Sequence, residues 1–239
     1  MEARQLIEMD LGDTIIDRPH GFSVGNRHFY LYPITLGKMY LLSRLVEELN
    51  VRTDIIKANP YLEAVRVVTE RKDICSRILT YHTIHTKAKI FDNEFVEKRT
   101  KFFIDNIDVN DMATLMVLVL TADKTTLFMK HLKIDKEQER MRMVMKMKKN
   151  KNNIDFGGLS VYGTLIDAAC ERYGWTFNYV VWEISYTNLQ LMMADKVTSI
   201  YLGDEELAKI SKNLLTRVDD TIKADSKESF ERIKKMDWR

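Results

Sequence analysis

One short stretch of the chain carries side chains that could act as a nucleophile or bind a metal ion. It holds Cys75, His82 and His85, and the two histidines are three residues apart, so a helix would place them on one face. A zinc ion takes four ligands, or three and a water molecule, and no second cysteine–histidine pair follows at a suitable spacing. Cys75 and His82 also fit the packed stripe of a helix, because a free cysteine behaves as a small hydrophobic residue. We therefore expect neither a catalytic nor a metal site here.

Other patterns typical of enzymes are weak. Adjacent acidic residues, such as Glu47-Glu48, Glu205-Glu206 and Asp219-Asp220, are most simply solvated helix faces in a chain that is 30% charged. Acid–base catalysis would require burial or a raised pKa, which a sequence does not display. The glycines at 21, 25, 157 and 158 do not stand in the pattern of a phosphate-binding loop. The sequence predicts a protein without enzymatic activity and without a cofactor.

A basic, methionine-rich segment is the first candidate binding surface. Residues 130–151 contain nine Lys or Arg and three acidic residues, a local net charge of +6. Methionine is common on surfaces that accept varied apolar partners, and cations favour an acidic peptide or a phosphate backbone. The alternative is a solvated basic helix or linker. No aromatic residue lies between Phe128 and Phe156 to stack on bases, which favours a peptide over nucleic acid. The candidate binding residues are Arg140, Met141, Arg142, Met143, Met145, Lys146, Met147 and Lys148.

The second candidate surface is the densest group of aromatic residues in the chain, which extends from Tyr173 to Tyr186. Such a group forms either the core of the C-terminal region or a docking or self-association surface, because Trp and Tyr dominate binding hot spots. The candidate binding residues of this group are Trp175, Tyr179, Trp182 and Tyr186.

The elements that position these residues follow from composition. The chain has 239 residues, of which 45% are hydrophobic, and its formal net charge is +2. Only 9 glycines and 3 prolines are present, which favours helices over a many-stranded sheet. The longest apolar run, Leu115 to Leu120, is far shorter than the roughly 20 residues of a membrane span. With an acidic N-terminus and two cysteines read as free thiols, we expect a cytoplasmic protein that does not bind membranes.

The uneven distribution of glycine and proline, which tend to interrupt helices, divides the chain into four parts. No glycine occurs from Lys38 to Phe156, whereas both ends contain several. We predict an N-terminal arm and β-hairpin over 1–36, a helical region over 37–135, a basic methionine-rich linker over 136–153 and a C-terminal helical region over 154–239. Residues 10–35 are typical of β structure, with a hairpin turn at Gly25-Asn26. The fold class is mainly α, a bundle of helices with a small hairpin, which either lies on the helices or pairs with another chain.

Spacing and capping residues place the helices. Thr35 is a candidate N-cap for a helix over 36–49, and Pro60 begins a helix predicted to reach about Tyr81. Asp108 or Asn110 is a candidate cap for the apolar helical segment Met112 to Leu120, and the helix is expected to continue through Leu132. Gly174 fits the position after a helix end, and apolar residues from Tyr179 to Ile200 recur as one long helical stripe. A last long helix is predicted to start at Asp204, with Leu214, Val218 and Ile222 on its apolar side.

Two stretches resemble a known family. Residues 21–42, GFSVGNRHFYLYPITLGKMYLL, resemble the opening of small proteins from long-tailed phages, and residues 173–195, YGWTFNYVVWEISYTNLQLMMAD, are similar to the C-terminal helical region of phage tail assembly chaperones. The resemblance implies a non-enzymatic protein that binds the tape measure protein, helps tail tube subunits to assemble around it, and is absent from the finished virion. It also implies an intracellular location in a bacterial host.

Three other functions remain open from the sequence. The chain is alternatively a structural virion protein, such as a connector or tail component. It is alternatively a nucleic-acid-binding regulator that acts through residues 130–151. An enzyme would rest only on Cys75 and His82.

Overall fold

The structure is a computed structural model that describes residues 3–148, 156–210 and 214. It confirms a mainly α fold with a small N-terminal β-hairpin. The described elements are α1 (Ala3–Ile15), β1 (His20–Val24), β2 (Arg27–Leu31), α2 (Leu36–Glu48), α3 (Thr53–Ala58), α4 (Pro60–Glu70), α5 (Lys72–His82), α6 (Lys87–Ile90), α7 (Asn93–Asn106), α8 (Val109–Leu120), α9 (Thr125–His131), α10 (Ile134–Met147), a π-helical segment (Tyr162–Asp167), α11 (Ala168–Tyr173), α12 (Phe177–Trp182), α13 (Tyr186–Ala194) and α14 (Asp204–Leu207).

The hairpin turns at the predicted position. Strands β1 and β2 are antiparallel, with Val24 opposite Arg27, and Gly25 between them has a φ of +56°. A positive φ at the first loop position suits glycine, which has no Cβ to clash with the backbone. Phe22 and Phe29 stack on each other at 5.7 Å between ring centroids. Both rings also contact Phe103 of α7, so one face of the hairpin is anchored on the helices.

The largest core lies between the hairpin and the helices α2, α4, α5, α7 and α8. Three of its helices begin where the sequence predicts. Thr35 Oγ1 accepts a hydrogen bond from the Lys38 amide at 3.4 Å, and Asp108 Oδ1 accepts one from the Asp111 amide at 2.9 Å. Pro60 is the first residue of α4. Each of these signals acts within about three residues, so the local sequence determines it.

Several predicted helices are too long. The helix expected from Pro60 to Tyr81 is two helices, because Arg71 adopts φ −141° and ψ 56°. The apolar helix after Asp108 ends at Leu120, and Thr125 starts a separate helix. The stripe from Tyr179 to Ile200 is also wrong as a single helix, since it comprises α12, α13 and residues outside any helix. The apolar residues keep a helical spacing across these breaks, so the spacing alone does not reveal where one helix ends and the next begins.

The N-terminal part differs from its prediction as well. Residues 10–15 belong to α1 and not to β structure. Two hydrogen bonds are among the contacts that hold helix α1 on the helical body: Asp10 Oδ2 accepts one from Lys124 Nζ at 2.6 Å, and the Thr14 carbonyl accepts one from Asn188 Nδ2 at 2.8 Å. Asn188 lies in α13, so this helix joins the first residues of the chain to the C-terminal region.

A second core connects α2 to the C-terminal helices. It contains Leu36, Ile166, Ala169, Val180 and Leu189, among others. A backbone hydrogen bond also joins the two regions, since the Tyr186 amide donates to the Ile34 carbonyl at 2.8 Å. The predicted division into four parts therefore stays a prediction, with core and backbone contacts between residues of the first, second and fourth parts.

The predicted linker is helical over much of its length. Helix α10 includes residues 136–147 of the segment 136–153, and residues 149–153 lie outside the described residues. The predicted last helix begins at Asp204 as expected. Its continuation through Val218 and Ile222 lies outside the described residues.

Candidate functional site

The methionines of α10 lie on two different sides of the helix. Residues two apart in sequence are about 200° apart around a helix, whereas residues four apart share a face. Met141 and Met145 therefore form one pair, and Met143 and Met147 form another. Met141 is half-buried, while Met143, Met145 and Met147 are exposed by 38%, 53% and 40%. The alternating methionines thus give an exposed apolar strip, Met143 and Met147, and a separate exposed residue, Met145, on the other side of the helix.

The inner side of α10 is anchored. Ile134 is buried with Phe128 and Leu191 in a third, smaller core. Gln138 Nε2 donates to the Ala194 carbonyl at 3.1 Å, which ties the helix to the end of α13. These contacts hold the opposite side of the helix, and with it Met143 and Met147, toward the surface.

Ion pairs reduce the positive charge of α10. Arg140 pairs with Glu137, and this hydrogen-bonded pair raises the pKa of the Arg140 guanidinium. Arg140 Nη1 also donates to the Leu214 carbonyl at 2.8 Å. Arg142 Nη1 lies 3.0 Å from Glu139 Oε2. Lys146 is exposed and Lys148 is half-buried, and neither has an acidic partner among the described residues. The helix therefore presents fewer uncompensated cations than its sequence suggests.

The aromatic candidates separate into two places. Trp175 lies between Tyr173 and Tyr179, at centroid distances of 4.6 and 5.0 Å. Tyr173 is fixed because its hydroxyl donates to the Met192 carbonyl at 3.1 Å. Tyr179 is 41% exposed. Trp175 and Tyr179 thus form one partly exposed aromatic cluster at the C-terminal helices.

Trp182 and Tyr186 do not join that cluster. Trp182 packs against α2 and lies 5.6 Å from the Phe91 ring, with Lys87 Nζ 5.4 Å from its centroid. Tyr186 is half-buried, its hydroxyl accepts a hydrogen bond from Gln190, and burial raises the pKa of its phenol. Both residues serve the packing between α2 and the C-terminal region. Of the four predicted aromatic residues, Trp175 and Tyr179 are therefore the two in the partly exposed cluster, and a binding role for all four stays a prediction.

The nucleophile candidate is buried. Cys75 has no exposed surface, and burial raises the pKa of its thiol to about 12. A thiol with this pKa stays protonated at neutral pH, and the thiolate is the reactive form. Within residues 3–148, 156–210 and 214, no group of three or more His, Cys, Asp or Glu side chains is arranged to hold a metal ion.

The sequence analysis missed a buried lysine at the base of the hairpin. Lys38, in the first turn of α2, is only 2% exposed, and its Nζ lies 5.8 Å from the centre of the Tyr32 ring. Burial lowers the pKa of its amine to about 8. The amine is still mostly protonated at neutral pH, so a positive charge is held inside the protein. The positive end of the α2 dipole adds to the cost of that charge.

Two histidines complete this group. The Tyr32 amide donates to the His82 carbonyl at 2.9 Å, and the His85 ring stacks on the Tyr32 ring at 4.9 Å. Burial and, to a smaller extent, the charge of Lys38 lower the pKa of His82 to about 4, while a hydrogen bond with the Tyr32 backbone opposes the shift. His82 is therefore a neutral neighbour of a charged lysine at neutral pH.

One sequence signal could have revealed this group. Residues 18–46 and residues 74–91 contain no aspartate or glutamate, although 35 acidic residues occur in the chain. The structure packs these two stretches together through Tyr32, His82 and His85. A count of total charge cannot detect such a local absence of acidic residues.

No single helix in the described part of the chain is both long and apolar enough to cross a membrane. Helices α8 and α9 reach that length and apolar character only together, as a pair bent by 50°, and Met112, Ala113, Leu115 and Met116 of α8 are buried in the protein core.

Comparisons of the chain with known proteins give no relative: no family model matches it, and no curated protein or solved structure matches it.

Proposed function

We propose that the protein is a non-enzymatic morphogenesis factor of a long-tailed phage, a tail assembly chaperone that binds the tape measure protein before the tail tube encloses it. The observation that carries the proposal is the exposed strip of Met143 and Met147 on an otherwise anchored helix. The resemblance of residues 21–42 and 173–195 to this family points in the same direction. The role belongs to the cytoplasm of the bacterial host.

The chemistry of the strip suits the proposed partner. A tape measure protein is long and helical, and its helices expose apolar faces until assembly is complete. Methionine side chains are flexible and polarisable, so Met143 and Met147 can contact helix faces of different shapes. Lys146 lies beside them without an acidic partner among the described residues, which favours a helix with acidic residues along its edge. An amphipathic helix laid on α10 would use both features.

Co-expression with the long helical protein encoded beside it tests the proposal. We expect the two proteins to purify together, and we expect the double variant Met143→Gln, Met147→Gln to lose most of the complex. Met192→Gln is the matched control, because Met192 is 36% exposed on a different helix. If both proteins are soluble alone and do not purify together, the proposal is wrong.

The same system separates a chaperone from a structural virion protein. A chaperone is present in infected cells and absent from purified particles, whereas a connector or tail component stays in the particle. Mass spectrometry of purified virions therefore decides between them. A particle that contains the protein in stoichiometric amounts would replace the chaperone proposal with the structural alternative.

A further inference from the structure

The outer face of the hairpin carries a row of rings. Side chains alternate between the two faces of a strand, and Phe29 of β2 points to the helices, so His28 and Tyr30 point away from them. Tyr32 follows the last residue of the strand and lies beside Lys38 of α2. The rings of His28 and Tyr30 are 4.8 Å apart, and those of Tyr30 and Tyr32 are 6.4 Å apart. His85 continues the row by stacking on Tyr32. We call these four residues the ring row.

The ring row is accessible. Tyr30 is 44% exposed, His28 and His85 are exposed, and Tyr32 is half-buried. Such a row of aromatic and imidazole rings is what successive bases of a single strand stack on, and this stacking tolerates any base sequence.

Two cations without counter-ions lie at the Tyr32 end of the row. Lys38 Nζ is 5.8 Å from the centre of the Tyr32 ring, and burial lowers the pKa of Arg99, a shift that the Tyr32 phenol opposes. Arg99 is itself half-buried against the rings of Phe29 and Phe95 and donates to Thr83. Among the described residues, no carboxylate forms an ion pair with Lys38 or Arg99.

A buried cation without a counter-ion costs stability, so its presence needs a reason other than folding. Burial, and after it the charge of Lys38, lowers the pKa of His82, so a second positive charge beside the lysine is disfavoured. The acid-free stretches, residues 18–46 and 74–91, together contain seven Lys or Arg and no carboxylate, which favours an incoming anion.

From the ring row and these unpaired cations, we infer that the outer face of the hairpin binds single-stranded nucleic acid. The bases stack along Tyr30 and its neighbouring rings, and the positive charge of the two acid-free stretches attracts the phosphates. The rings favour this ligand over an acidic peptide, which would use the charge and leave the row of rings without a function. The surface differs from the basic segment 130–151, which lacks aromatic residues and in which Arg140 and Arg142 are already paired.

Fluorescence anisotropy of a labelled oligothymidylate with the full-length protein tests the inference. We expect binding that weakens steeply with salt, because phosphate contacts release counter-ions. Tyr30→Ala should weaken binding by at least about fivefold, the lower end of the effect of one stacked base. The matched control is Tyr61→Ala, since Tyr61 is 45% exposed on α4 and should leave the affinity unchanged.

Charge variants locate the contact. Lys38→Met should weaken binding moderately, because it removes a positive charge close to the row; Lys38 is only 2% exposed and makes no direct phosphate contact. The double variant Arg142→Gln, Lys146→Gln should keep the affinity of the native protein. Circular dichroism of each variant checks that it is folded.

Three results would overturn the inference. The first is the absence of oligonucleotide binding at low salt. The second is binding that is lost with Arg142→Gln, Lys146→Gln and kept with Tyr30→Ala. The third is displacement of the oligonucleotide by polyglutamate at equal charge concentration together with no effect of Tyr30→Ala, which would identify an acidic-peptide surface.

Discussion

The indole ring of Trp182 occupies the space that a side chain at residue 37 would need. A Cβ atom built on Gly37 would lie 2.8 Å from two carbons of that ring, closer than real Cβ atoms approach their neighbours. Gly37 is in the first turn of α2, and Trp182 is the last residue of α12. The absence of a side chain at Gly37 therefore sets how closely the N-terminal and C-terminal regions pack.

Gly37→Ala should destabilise the protein. Overpacking against Trp182 costs about 2 kcal/mol, and the better helix propensity of alanine offsets up to about 1 kcal/mol. We expect a net loss of about 1 kcal/mol in the free energy of unfolding, measured by urea denaturation. In the background of Trp182→Leu, the same substitution should be neutral or stabilising, because the clash is gone. A stabilising effect of Gly37→Ala in the native background would contradict the close packing.

Lys38→Met should stabilise the protein at neutral pH. Burial lowers the pKa of Lys38 from 10.5 to about 8, so the folded state disfavours the charged amine by roughly 3 kcal/mol. The native protein recovers this free energy as the pH rises from 8 to 10.5, where the unfolded chain binds more protons than the folded one. The stability difference between variant and native protein should therefore be largest near pH 7 and shrink toward pH 10.5. Lys57→Met, at an exposed lysine, should show no such pH dependence.

Glu63→Gln should lower stability at neutral pH. Glu63 is fully buried, and its carboxylate accepts hydrogen bonds from the Arg52 amide at 2.8 Å and from Arg66 Nε at 3.0 Å. Loss of the carboxylate leaves Arg66 without its buried partner, at a cost of about 3 kcal/mol. Glu70→Gln removes the exposed partner of the same arginine and should cost less than about 1 kcal/mol. Equal effects of the two substitutions in urea denaturation would contradict this assignment.

Acid should destabilise the native protein because Glu63 and His82 both have lowered pKa values in the folded state. The hydrogen bonds from Arg66 hold the pKa of Glu63 below its usual value, so its contribution is complete above pH 4.5 and is lost as the pH falls through the folded-state pKa. Burial lowers the pKa of His82 from 6.5 to about 4, so stability falls as the pH drops from 6.5 to 4. His82→Gln should reduce the pH dependence in that upper window and leave the Glu63 part unchanged. Thermal unfolding at a series of pH values measures both.

The two thiols should differ in reactivity. Cys75 is buried with a pKa of about 12, whereas Cys170 is half-buried. We expect a thiol reagent to modify Cys170 in the folded protein and both cysteines in denaturant. Mass spectrometry of the labelled protein identifies the site. Rapid labelling of Cys75 in the native state would show that its core opens.

The helix and hairpin signals predicted from sequence are those that act over a few residues. Thr35 and Asp108 cap their helices, Gly25 forms the hairpin turn, and Gly174 ends α11 with a φ of +65°. Each depends on the conformation of one residue and on a hydrogen bond to a near neighbour. The breaks were not predictable in this way. Ser185 starts α13 and lies in a backbone bridge with Thr35, a partner 150 residues away in sequence.

The sequence by itself determined the helical character of the chain, the hairpin and the two clusters of chemically distinctive residues, because composition and local spacing set these. The tertiary structure alone decided which members of each cluster are exposed. It left Met143 and Met147 at the surface of α10, moved Trp182 into the packing against Gly37, and buried Lys38 beneath Tyr32. Burial depends on which distant segments pack against a residue, and residue type and local spacing do not determine those segments.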